Sequence, residues 1–153
     1  VYVLIWRIVS SMKMTYENSL LYKIEQHIKK ASSKVFMPKD FMGWGSYRQI
    51  SRALQKLIEQ HELVKIGFGL YAKAYVSPYI EEPLLVDGFD TVAREALDRM
   101  QVQWEPGSAE QEYNEGKTQQ VPTQNVVRLK SRLRRNIQYQ GRQIYFERGI
   151  NAR

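Results

Sequence analysis

The chain has 153 residues, 43% of them hydrophobic, enough for one compact body or two small ones and too apolar for wholesale disorder. With no cysteine and only two histidines, His27 and His61, it excludes a disulfide framework and a thiolate metal site, and a histidine-based zinc site is not expected. The formal charge of +7 is blocked into +7 over residues 1–80, −8 over 81–116 and +8 over 117–153, a pattern that suits a nucleic-acid face plus an acidic segment pairing internally or with a basic partner.

Residues 1–13 open with a nearly continuous apolar run, Val1 to Val9. The run is too short to span a bilayer and lacks the leading charge of a signal peptide, so no membrane association is expected. It reads as an extra strand, a dimerisation arm or an extension. Tyr16 to Ala31 predicts an amphipathic helix, with Leu20, Leu21, Ile24 and Ile28 at helical spacing. Lys34 to Met37 reads as a short strand, and Pro38 with Asp40 suits the first turn of a short helix. Phe41, Met42 and Trp44 are expected to pack beneath the helix that follows.

That helix organises the chain. Ser46 follows Gly43-Trp44-Gly45 as an N-cap, and Tyr47, Ile50, Leu54, Leu57 and Ile58 recur on one side. Arg48, Gln49, Arg52, Gln55 and Lys56 fall on the other, and Ser46 and Tyr47 are expected to contact DNA beside them. Arg forks onto guanine and Gln onto adenine, so this stripe has the chemistry of base-edge and phosphate contact, although a solvated charged face would look the same. Leu63 to Ile66 and Leu70 to Lys73 are strand-like and flank Gly67-Phe68-Gly69, whose two glycines would tolerate the positive φ of a tight turn. Lys65 and Lys73 would sit on this hairpin within reach of phosphate. Helix, turn, helix and hairpin in this order predict a winged helix-turn-helix over residues 14–76.

Ser77 to Pro83 carries two prolines, and residues 77–88 read as a linker. Residues 89–153 are expected to form a small α/β region. Phe89 to Met100 is an amphipathic helix with Val92, Ala93, Ala96, Leu97 and Met100 inward and Arg94, Glu95, Asp98 and Arg99 outward. Val102 to Trp104 is a short strand, and a short helix capped by Ser108 runs to Asn114. Asn125 to Leu133 alternates, placing Arg128, Lys130 and Arg132 on one strand face. With Arg134 and Arg135 they make a second basic surface, open to DNA, to an acidic partner or to the protein's own acidic segment. Asn136 to Tyr139 and Arg142 to Phe146 close the chain as a β-hairpin over Gln140-Gly141. The fold class is α+β.

Three stretches of the N-terminal half carry a family resemblance: Val35-Phe36-Met-Pro-Lys-Asp-Phe41, Gly45-Ser46 leading into Arg52-Ala53-Leu54-Gln-Lys-Leu57, and Ile66-Gly67-Phe-Gly69-Leu-Tyr71. Together with Glu105 to Ala109, Thr118 to Pro122 and Gly141 to Glu147, this series resembles the winged-helix regulators grouped with AbiEi-type antitoxins of type IV toxin–antitoxin systems. The resemblance implies a bacterial or mobile-element repressor that binds double-stranded DNA at repeats in its own promoter. It also implies a C-terminal region able to counteract a nucleotidyltransferase-like toxin. The small contact area of one monomer predicts a homodimer or cooperative binding, and the absence of cysteine fits a cytoplasmic protein. The competing expectation is an interaction module that neutralises a toxin mainly through that region, with DNA binding secondary. No phosphate-cradling glycine loop, nucleophile elbow or metal-ligand spacing occurs, so neither an enzyme nor a cofactor is expected.

Overall fold

A computed structural model describes residue 5 and residues 19–148 of the chain. The expectations for segment 1–13, Ile5 apart, and for the helix start at 16–18 lie outside the described residues. Helix α1 spans Leu20–Lys30, and the Ser19 hydroxyl accepts from the Tyr22 N–H at 3.2 Å. Strand β1 (Val35–Phe36) leads into a 3-10 turn over Pro38–Phe41, closed by the Asp40 carboxylate accepting from the Met37 N–H at 2.8 Å. Helix α2 (Tyr47–Glu59) buries Ile50, Ala53, Leu54 and Leu57. Just past its end, His61 takes the left-handed conformation (φ 60).

Strands β2 (Leu63–Gly67), β3 (Leu70–Ser77) and β4 (Ile80–Leu85) follow. β1, β3 and β2 pair antiparallel in that order, and β4 pairs antiparallel with the distal half of β3. The stretch expected as a linker over 77–88 is thus largely a strand. Pro83 is tolerated there because β4 has β3 as its one described partner.

Side chains alternate along these strands, and successive residues enter different cores. Phe36, Leu63 and Tyr71 join Ile24, Ile28, Phe41, Leu54 and Leu57 beneath the helices. Val35, Val64 and Ala72 join the opposite cluster, built with Phe89, Val92, Ala93, Ala96 and Leu97 of helix α3 (Gly88–Arg99) and with Val127, Ile137 and Ile144. The sheet is therefore covered on both faces, by α1 and α2 on one and by α3 with the C-terminal strands on the other. Its second core draws on residues before and after 77–88.

β5 (Trp104–Pro106) pairs antiparallel with β6 (Val126–Leu129), two residues later than the expected strand at Val102. Between them α4 (Ser108–Asn114) ends before Gly116, at φ 74. Its N-cap is Gly107, and Ser108 occupies the first helical position. The closing hairpin joins β7 (Gln138–Tyr139) to β8 (Arg142–Gln143), with positive φ at both Gln140 and Gly141, as a two-residue turn of this hand requires. The expected single strand to Phe146 breaks at Ile144, which is buried. Beyond it β9 (Tyr145–Arg148) runs parallel to β6. Among the described residues no helix is long and apolar enough to cross a membrane.

Candidate nucleic-acid interface

The outer face of α2 is built by its inner one. At 100° per residue the four buried side chains define one direction, and Arg48, Arg52, Gln55 and Glu59 lie opposite it. All four are exposed. Among the described residues Arg48, Arg52 and Gln55 have neither a hydrogen-bond partner nor an ion pair, whereas Glu59 lies 3.8 Å from Lys56. Arg52 and Lys56 also line a shallow cleft of about 250 Å³ with Leu20 and Leu21 of α1. Side chains of this kind can cover apolar surface with their aliphatic stems while the charged ends stay in water.

Two predicted contact residues are committed elsewhere. The Ser46 hydroxyl accepts from the Gln49 N–H at 3.2 Å, and the Gln49 side-chain oxygen accepts from the Ser46 N–H at 2.9 Å. This capping box satisfies two orphan helix donors, so the Gln49 amide is held at the helix start rather than offered as a fork. The Ser-Tyr-Arg-Gln order carries that signature in the sequence.

Tyr47, expected on the apolar face, is 71% exposed. It lies about 70° from the centre of the buried face, which sets it on the flank. Tyr71 of β3 is close enough that Tyr47, after burial, helps push the Tyr71 phenol above its ordinary pKa. Of the aromatic and apolar residues expected beneath α2, Phe41 is fully buried, Trp44 packs edge-on to Phe41 and His27, and Met42 is exposed.

Lys65 is exposed on β2, its ammonium 5.9 Å from the Phe68 ring centroid. Its neighbour Leu63 and its cross-strand partner Tyr71 both face the helices, so Lys65 points to the α2 side of the sheet. Lys73 does not join it. Its ammonium donates to the Ala31 carbonyl at 2.6 Å, at the C-terminal end of α1, and lies 5.9 Å from the Phe36 ring centroid. Burial first and Lys34 second push the Lys73 pKa down.

The second basic surface divides. β6 ends at Leu129, so of the arginines and lysines expected on one strand face only Arg128 lies on the strand. Arg128 is paired within the molecule, 3.4 Å from Glu105 and 3.2 Å from Glu147, and donates to the Ser108 hydroxyl at 2.6 Å. Lys130, Arg132 and Arg134 are exposed beyond the strand. Arg135 is half-buried, with a guanidinium nitrogen 3.8 Å from the Met100 sulfur. Arg134 and Arg135 reach the β2–β3 turn, where they line an open groove of about 840 Å³ with Lys65 and Phe68.

The acidic middle segment is also largely used internally. Arg94 binds Glu110 through two bonds, at 3.1 and 2.6 Å, and Arg99 pairs with Asp40. Glu95, expected to face solvent, accepts at 2.9 Å from both the Ser33 hydroxyl and the Lys34 N–H. Among the described residues no group of three carboxylates or histidines is gathered as a metal site.

No curated protein and no solved structure matches this chain. Residues 23–151, most of the chain, match one family model. The chain belongs to that family, DUF6088, a family of unknown function.

Proposed function

We propose that this protein is a sequence-specific DNA-binding regulator. In this reading α1, the 3-10 turn, α2 and the β2–β3 hairpin act as a winged helix, with α2 entering the major groove. The observation that carries it is the outer face of α2, where the Arg48, Arg52 and Gln55 side chains have no partner among the described residues. Arg94, Arg99 and Arg128 each pair with a carboxylate, whereas Arg48 and Arg52 are exposed beside Gln55 with no ion pair among the described residues. Guanidinium forks held outward on a rigid, capped helix suit guanine edges and phosphates. Arg48, Arg52 and Gln55 would read bases, with Lys56, Lys65 and Tyr47 positioning the duplex at the flanks.

The experiment is binding of the full chain to its own upstream DNA and to random duplex at two salt concentrations. Arg52→Ala should cost about 1–3 kcal/mol on the cognate site and flatten discrimination. If the variant discriminates as the wild type does, α2 is not the reading element. Autorepression and a paired nucleotidyltransferase-like toxin extend the proposal, and their support is the sequence resemblance to AbiEi-type antitoxins.

A further inference from the structure

The groove beside the β2–β3 turn shares Lys65 with the proposed duplex surface but contains no residue of α2, and its lining is chemically one-sided. Among the described residues it carries three cations, Lys65, Arg134 and Arg135, and no carboxylate. The other acidic–basic contacts of the C-terminal region leave these three without an anionic partner among the described residues. Phe68 stands at the turn, 76% exposed, and its one described ring contact is the Lys65 ammonium. An aromatic ring held in water at the lip of a cationic groove gives up apolar burial, which a flat ligand would restore. Asn136 and Gln138, both exposed, add amide donors and acceptors to the same wall.

We propose that this groove binds an unpaired nucleotide, its phosphate on Lys65, Arg134 and Arg135 and its base stacked on Phe68. A base inside a duplex has no free face for a ring to stack on, whereas an unpaired base of any identity offers one. About 840 Å³ holds one nucleotide with room for chain on either side. The shared chemistry is phosphate plus aromatic base, and its source is a free mononucleotide or a single strand. The proposal goes beyond the duplex reading of α2 and does not need it to be right.

The test uses the full chain, with labelled oligothymidylate followed by anisotropy and with a nucleoside monophosphate and inorganic phosphate followed by calorimetry. Phe68→Ala should weaken strand or nucleotide binding by about 5- to 100-fold, and Phe68→Trp should restore it. Arg134→Ala combined with Arg135→Ala should weaken binding and reduce its salt dependence. Arg52→Ala should leave groove binding intact, so failure of the α2 reading and failure of this one are separable. A mononucleotide as tight as the strand identifies a free nucleotide as the source, and binding of the strand alone identifies single-stranded nucleic acid. The proposal is overturned if Phe68→Ala binds like the wild type, if phosphate alone binds as tightly as the nucleotide, or if Phe68→Ala loses only duplex affinity.

Discussion

Gly67, the last residue of β2, and Gly69, in the turn after it, are constrained for different reasons. Gly69 has φ 65 and open space around it, so its requirement is conformational. Gly67 has no such φ; a Cβ there would lie 2.6 Å from the Asn136 carbonyl oxygen. The residue keeps room for segment 134–137 to press against β2. Gly67→Ala should therefore destabilise the protein by about 1–3 kcal/mol by pushing that backbone away. It should also disturb the groove more than the β2–β3 pairing. Denaturant unfolding, with amide exchange at 134–141, checks this, and wild-type exchange there would defeat the explanation. In sequence the two glycines look alike, because the contact that separates them comes from a residue nearly seventy positions away. Gln49 differs: its capping role was legible in the spacing to Ser46, and a polar stripe on a helix is no evidence that every member faces outward free.

At the scale of elements, α4 shows how a short helix is held. Glu147 of β9 accepts from the Ser108 N–H at 2.9 Å and from its hydroxyl at 2.5 Å, and Arg128 adds a third contact. The Ser108 bonds first, and the Arg128 guanidinium after them, hold the Glu147 carboxyl below its ordinary value. A depressed folded pKa means stability that is fully present above the unfolded value of 4.5 and lost as pH falls through the folded one. Glu62 works oppositely: burial, then Glu25, raise its pKa, so the folded protein takes up that proton more readily. The raw pH dependence of stability sums both. The difference between wild type and Glu147→Gln isolates the first, and it should shrink as pH drops below 4.5. A difference independent of pH would show that Glu147 contributes no ionised contact. The helices themselves were readable from periodicity, as α2 and α3 show, and α2 from its cap as well. The strands after Asn125 were less so, since a two-residue strand carries no period and the parallel pairing of β9 with β6 depends on a distant partner.

Across the whole molecule, the sheet of β1 to β4 is the dividing wall between two cores. Its outer hairpin, β3–β4, exposes Tyr75, Val76, Tyr79 and Ile80, with Tyr79 at 92%. An apolar tip of this kind fits contact with a second copy, which the duplex-binding proposal needs to cover enough DNA. Under that proposal Tyr79→Glu should lower the solution mass toward the monomer and abolish cooperative DNA binding while leaving the chain folded. Light scattering after size exclusion reads this directly, and an unchanged oligomer would remove the hairpin from the interface. The sequence alone determined the α+β class, the capped amphipathic helix at residue 46, its outward Arg48, Arg52 and Gln55, and the three charge blocks, because each is written in local spacing. Only the tertiary structure decided that 80–85 is a strand, that Lys73 and Arg128 are consumed inside the molecule, and that Arg134 and Arg135 meet Lys65 and Phe68 across one groove. Those outcomes depend on which distant groups the chain brings within a few ångströms, and no local period encodes that.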